Sequence, residues 1–328
     1  MVQTRKSDRQ REMTSRVVVP GACPQIAILL CTKDGEGYLP DQLNSISAQH
    51  DADWRLWVSD DGSLDDTLRI LKGYDGARFD SHASLFRGPR EGPTKNFLSL
   101  VCRTSIVARY YAFADQDDLW SPGKLARART WLERVPNNVP ALYCSRTQIV
   151  DVRGRALGLS PLFAKPPSFL NSLVQNLGGG NTMVFNGAAR DLLVTAGENA
   201  DPVAHDWWAY LLVSGSGGKV FYDPYPTVSH RQHDTNFVGA GIGFNAKLKR
   251  VQLLMNGQFR QWTDTNIAAL QRVRHLLSDE NRKHLDEFAT ARNLPMIARL
   301  AGVRRSGVYR QTFAGTLSLI AGVAMGRI

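Results

Sequence analysis

Apolar and polar positions along this chain change period repeatedly, and the changes predict short strands separated by helices. Ile26–Cys31 is an unbroken apolar run ending in Thr32-Lys33-Asp34-Gly35, as a buried parallel strand does where it opens into a loop. Leu39, Leu43, Ile46 and Ala48 then share one side of a helix. Leu56–Val58 predicts a second strand closing on Ser59-Asp60-Asp61-Gly62-Ser63, and Leu64–Leu71 a helix with Ser63 available as its cap. Ser84–Phe86 predicts a third strand, Asn96–Val101 a helix after the Pro93 turn, and Arg109–Ala114 a fourth strand stopping at Asp115-Gln116-Asp117-Asp118. A helix over Lys124–Leu132 follows, with Pro122 near its first turn. Further strands are predicted at Ala141–Cys144, Thr182–Phe185 and Val220–Tyr222. From Asn245 onward the pattern is helical, with Leu270, Val273, Leu276 and Leu277 as examples.

Strands alternating with helices over the first half imply a doubly wound, mostly parallel α/β sheet. Each acidic group falls just past the C-terminal end of a predicted strand, the edge at which open α/β sheets bind ligands. The division this implies is a flexible basic arm at 1–22, an α/β catalytic domain at 23–244, and a basic helical C-terminal region at 245–328.

With 43% hydrophobic and 21% charged residues, the chain is not disordered throughout. Cys23, Cys31, Cys102 and Cys144 are scattered without metal or disulfide spacing, which predicts buried thiols in a reducing compartment. The formal charge of +10 lies in the two ends. Residues 1–22 carry five basic against two acidic side chains and 247–328 fourteen against five, so the body between them is slightly acidic. No acid follows Glu287, while Arg292, Arg299, Arg304, Arg305, Arg310 and Arg327 do. Such a tail suits an anionic surface, phospholipid or nucleic acid, or else is a solvated basic face. Val17–Val19 is too short for the core of a secretion signal. Thr312–Met325, the longest uncharged apolar stretch, falls short of the roughly 20 residues needed to span a bilayer. The expectation is a cytoplasmic protein, with the tail touching the inner face of the plasma membrane.

Four clusters carry candidate chemistry. In Asp60-Asp61-Gly62-Ser63 the carboxylates can accept from a nucleobase or ribose, although such turns also cap helices. Three carboxylates in Asp115-Gln116-Asp117-Asp118 repel one another unless a cation neutralises them. Mg²⁺ or Mn²⁺, which take oxygen ligands and bridge phosphates, is the natural partner, and a solvated acidic turn the alternative. In His205-Asp206-Trp207-Trp208 the indoles can wall a sugar site and Asp206 can act as a general base, or Asp206 can cap the following helix. In His230-Arg231-Gln232-His233, Arg231 and His233 could clamp a diphosphate or complete a metal shell. Lys95 after Pro93 is a further phosphate candidate. Gly178-Gly179-Gly180-Asn181-Thr182 permits close backbone approach but lacks the lysine and spacing of a nucleotide P-loop.

Taken in this order over about 25–245, these motifs resemble the family 2 glycosyltransferases of GT-A fold, in particular the bacterial rhamnosyltransferase-like branch. The resemblance rests on Thr32-Lys33-Asp34-Gly35 with Tyr38-Leu39, Ser59–Ser63, Asn96-Phe97, and Asp115–Trp120 with Lys124. It continues through Gly180–Thr182, His205–Trp208, and Arg231-Gln232-His233 with Asn236 and Gly239. It implies an inverting, metal-dependent transfer of a sugar, L-rhamnose from dTDP-rhamnose, onto a cell-surface polysaccharide or a polyprenyl-linked glycan. Thr32, Asp60 and Asp61 would hold the nucleoside and Lys95 would lie near the donor phosphates. Asn181, Thr182, Trp207 and Arg231 would contribute to substrate binding. Asp115 and Asp117 match the DxD motif, with Asp117 and His233 as metal ligands and Asp206 as the base. Two positions depart from the family pattern. Lys33-Asp34 replaces the usual Asn or Tyr after the first strand, and Lys95 replaces an Arg, losing the bidentate fork. A sugar nucleotidyltransferase would carry a basic Gly-rich loop where Thr32–Leu39 has none. A nucleic-acid-binding protein is opposed by the acidic body, so nucleic acid is not an expected partner.

Overall fold

The computed structural model describes residues 25–50, 53–74, 84–232, 252–253 and 256–328. The strands are β1 (Ile26–Thr32), β2 (Trp54–Asp60), β3 (Leu85–Arg87), β4 (Tyr110–Ala114), β5 (Leu119–Trp120), β6 (Ala141–Val150), β7 (Ala156–Leu159), β8 (Val184–Asn186) and β9 (Lys219–Arg231). Among the described residues they form one sheet of order β3-β2-β1-β4-β8-β6-β9-β5, with β7 added to β6. β3, β2, β1 and β4 run parallel. β8 is antiparallel to both β4 and β6 and thereby joins this half to the parallel pair β6–β9. The predicted mostly parallel α/β sheet with a helical C-terminal region is what the chain adopts, with β8, β5 and β7 as its antiparallel members.

The helices are α1 (Leu39–Ser47), α2 (Thr67–Gly73), α3 (Pro93–Val101), α4 (Lys124–Leu132), α5 (Phe169–Ser172), α6 (Gly187–Ala196) and α7 (His205–Gly215), followed by α8 (Gln258–Arg272), α9 (Asp279–Ala291), α10 (Met296–Arg305) and α11 (Phe313–Ala324). They cover both faces of the sheet, which explains why β1 is buried at every position and apolar up to Thr32. Ile26, Ile28 and Leu30 meet α1, α2 and α4 through Leu39, Leu43, Leu71 and Leu125. Ala27, Leu29 and Cys31 face α3, α6 and α7. The C-terminal helices join this second core through Leu270, Leu285, Phe288, Val303, Leu319 and Val323.

One helix start differs from the expectation. α2 begins at Thr67 with Asp66 as its N-cap, not after Ser63, and Leu64 is 92% exposed. Ser63 is engaged elsewhere, donating to Asp60 and accepting from the Asp34 backbone, so residues 61–66 form a loop tied to the end of β1. No helix among the described residues is long and apolar enough to cross a membrane.

Candidate active site

The parallel register puts Thr32 opposite Asp60 and Leu30 opposite Ala114, so the loops after β1, β2 and β4 emerge side by side. Thr32 Oγ1 donates to Asp60 Oδ2 at 2.9 Å, while Asp60 Oδ1 accepts from the backbone N–H groups of Gly62 (3.1 Å) and Ser63 (2.9 Å). Gly62 has φ 87°, a conformation that glycine adopts without strain. Asp61 spends both oxygens on the next loop, accepting from Arg90 N (2.6 Å) and Gly92 N (2.9 Å). Gln116 reaches across to Lys33, exchanging two hydrogen bonds of 2.8 Å with its backbone. One network therefore fastens the three strand-end loops together.

The antiparallel pairing of Leu119 with Ser229 brings Asp118 opposite His230. Asp118 is 1% exposed, and its Oδ1 meets His230 Nδ1 at 3.0 Å while Oδ2 accepts from Asn181 Nδ2 at 2.5 Å. Burial pulls the His230 pKa down, but the hydrogen bond to Asp118 and the charges of Asp118, Asp115 and Asp117 outweigh it and raise it to about 9. That shift favours the protonated imidazolium facing Asp118. Asp115 is raised well above the carboxylate range, first by burial and then by the charges of Asp118 and Asp117, with Asp206 adding and His230 opposing. Cys31, at the end of β1, is also raised by burial, then by Asp115 and Asp61.

Asp206 lies in the first turn of α7, whose N-cap is Ala204 rather than Asp206. Its Oδ2 accepts from Gly180 N at 3.1 Å and its Oδ1 from Trp207 N at 2.6 Å. The short turn Gly180–Thr182 therefore grips Asp206 with one residue and Asp118 with the next. Thr182 Oγ1 closes that turn on Gly179 O (2.8 Å) and is buried. His205 is a neutral core residue, stacked on Phe97 with ring centroids 3.8 Å apart, and burial lowers its pKa to about 4. Trp207 and Trp208 are core residues too, the Trp207 indole donating to Ser172 O at 2.6 Å.

Two basic candidates are held by carboxylates. Lys95 pairs with Asp201, and Arg231, buried beside the Tyr38 ring, binds Asp41 at 2.5 Å. A phosphate contact from Lys95 requires that ion pair to open. His233 lies outside the described residues, as do Asn236 and Gly239. Among the described residues no three His, Cys, Asp or Glu side chains are already gathered as a metal cage. Asp115 and Asp117 nevertheless fit a hard divalent ion chemically, as neighbouring oxygen donors, and a bound cation would favour the charged form that burial and the nearby acids disfavour at Asp115.

Sequence reasoning gave Lys124 no chemical role. It is fully buried on the inner side of α4, its Nζ 3.5 Å from the Trp120 ring centroid and without a hydrogen-bond acceptor. Burial lowers its pKa to about 7 against the pull of Asp118 and Asp115. The signal was present in the helical spacing, because Lys124 shares the buried side of α4 with Ala128 and Leu132.

Residues 27–192 match the profile of glycosyl transferase family 2. The chain is 30% identical over 246 residues to the dTDP-rhamnosyl transferase RfbG of Shigella flexneri, covering 71% of this chain and 81% of that one. Among solved structures it is similar to S. aureus TarS 1-349 in complex with UDP-GlcNAc, with a TM-score of 0.51, 14% identity and coverage of 92% and 90%. The UDP complex of the same protein gives a TM-score of 0.50 at 14% identity and the same coverage.

Proposed function

The chain belongs to glycosyl transferase family 2, and from that premise we propose that it transfers a sugar, L-rhamnose from dTDP-rhamnose, with inversion onto a glycan acceptor. The observation that supports this reading most strongly is the Gly180–Asn181 turn. By hydrogen-bonding Asp206 and Asp118 at once, it sets a candidate base beside the acidic loop after β4.

Asp206 takes the proton from an acceptor hydroxyl as that oxygen attacks the anomeric carbon and the nucleoside diphosphate departs on the opposite side. Its two N–H contacts fix the carboxylate while leaving lone pairs for the hydroxyl. The transition state is oxocarbenium-like, as in glycoside hydrolysis, and a single displacement inverts the configuration. Asp115 and Asp117, with His233, would hold Mg²⁺ or Mn²⁺, which would supply positive charge against the leaving diphosphate. Thr32 and Asp60 shape the floor of the nucleoside site, and Asp61 holds the 88–92 loop that borders it. The acceptor in this reading is a surface-polysaccharide precursor on a polyprenyl carrier, met at the inner face of the plasma membrane.

A donor screen by nucleoside diphosphate release, beginning with dTDP-rhamnose, tests the reading. Asp206→Asn abolishes transfer and leaves donor affinity within a few fold. Near-normal transfer by that variant removes Asp206 from the mechanism.

A further inference from the structure

The last two helices present a surface that the site does not use. α11, FAGTLSLIAGVA, contains no charged residue, yet it lies at the surface. Leu319, Gly322 and Val323 face the body, while Phe313 (79% exposed), Leu317 and Ile320 (both 51%) recur at helical spacing on the outer side. Met296 and Ile297, in the first turn of α10, are exposed as well. α10 runs antiparallel beside α11, since Arg299 donates to Ala324 O near the α11 C-terminus. Met296 and Ile297 therefore flank one end of the outer stripe, and the exposed Arg304 and Arg305 its other end. Arg327, also exposed, follows α11. From residue 288 to the C-terminus there is no acidic side chain to offset these charges.

We propose that the outer face of the α10–α11 hairpin is a docking surface for an anionic phospholipid bilayer, with Phe313, Leu317 and Ile320 entering the interface and Arg304, Arg305 and Arg327 engaging headgroups. Charge alone would suit any polyanion. The uncharged stripe decides between them, because a nucleic acid offers no apolar phase to receive it and a bilayer interface does. At 12 residues α11 is about 18 Å long, so it lies in the interface and does not span.

The hairpin is rigidly coupled to the body. Asn171 Nδ2 donates to Tyr309 O (2.9 Å), Gln311 N donates to Gln175 Oε1 (2.9 Å), and Lys165 N donates to Gln311 Oε1 (3.0 Å). The 165–175 segment that makes these bonds runs directly into the Gly178–Thr182 turn that grips Asp206. Docking would thus fix the orientation of the sheet edge to the bilayer. The inference rests on the surface alone and holds whichever sugar is transferred.

Flotation of the full chain with vesicles of phosphatidylcholine, or of phosphatidylcholine with about one-third phosphatidylglycerol, tests it at physiological salt. The protein floats with the anionic vesicles. The F313S/L317S/I320S variant loses at least about tenfold in partitioning. R304Q/R305Q/R327Q loses about fivefold per charge and with it the preference for anionic lipid. Circular dichroism melts of both variants match the parent, because the replaced side chains are exposed. Absence of flotation, or flotation unchanged in both variants, overturns the proposal. So does a concentration-dependent dimer that the serine variant abolishes in the absence of any flotation. Binding of a duplex oligonucleotide in place of vesicles overturns it too.

Discussion

Gly180→Ala is the sharpest test of the turn that joins the acidic loop to Asp206. A methyl group there would collide with His205 Nε2 and sit 3.3 Å from Asp206 Cβ. His205 cannot yield, since it is stacked on Phe97 at 3.8 Å and meets Phe113 edge-on at 5.0 Å. The strain must then move residues 179–181, stretching the 3.1 Å bond from Gly180 N to Asp206 and loosening Asn181 from Asp118. Overpacking of this kind costs about 1–3 kcal/mol of stability. A base displaced by about 1 Å loses on the order of 100-fold in kcat, or about 2.7 kcal/mol of barrier. The assay is nucleoside diphosphate release at saturating donor, with thermal melting and donor calorimetry on the same samples. Donor affinity stays near the parent value, because the hydrogen bonds of Thr32 and Asp60 run to each other, Gly62 and Ser63 and not to the turn. Gly187→Ala, where the added methyl meets nothing within 4 Å, is the matched control and keeps full activity. A Gly180→Ala protein that melts several degrees lower yet turns over at the parent kcat would falsify the coupling of this turn to catalysis.

Asp117→Ala weakens donor binding only when Mn²⁺ is present, so calorimetry with and without the ion separates a ligand role from a packing role; equal losses in both arms exclude the former. Asn181→Ala leaves Asp118 short of one buried hydrogen bond and costs about 1–3 kcal/mol in denaturant unfolding, while a neutral effect means solvent already serves that oxygen. Lys124→Met removes an amine whose folded-state pKa is depressed to about 7 from 10.5. A depressed amine leaves stability intact above its unfolded pKa and loses it as pH falls through the window from 10.5 to 7. The Met variant therefore melts above the parent at pH 7, by an amount of order a few kcal/mol, and the gap narrows toward pH 10. A gap independent of pH would mean that the amine is solvated.

The sequence pattern located the strands and the ends at which the acidic loops emerge, because a strand buried on both faces leaves an unbroken apolar run that a polar loop must terminate. β1, β2 and β4 were legible for this reason, and so were the acidic groups after them. The pairing of those groups was not. Asp118 and His230 are 112 residues apart and meet only through the β5–β9 register, which no local period records. The start of α2 misled for a related reason: Ser63 has the chemistry of a cap, but its hydroxyl is claimed by Asp60 and by the backbone of a loop 29 residues away. Adjacent tryptophans after Asp206 suggested a sugar wall because exposure is invisible in one dimension. α7 is buried on almost every side, so Trp207 and Trp208 serve the core.

The three carboxylates after β4 divide by how their charge is met. Asp118 is deeply buried and faces His230, Asn181 and the ammonium of Lys124, so its charge is balanced from within the chain. Asp115 and Asp117 are partly exposed, and Asp115 is raised first by burial and then by the charges of Asp118 and Asp117, with His230 opposing. A buried acid with built-in counter-charges is a poor ligand for an incoming ion, because binding would have to break the ion pair that holds β5 to β9. Two neighbouring carboxylates that repel one another would gain from the same ion. Asp118 is therefore better understood as the post that fixes the loop, Asn181 and His230 in place. In the proposed reading, Asp115 and Asp117 beside it are the pair that a divalent cation and a diphosphate would meet.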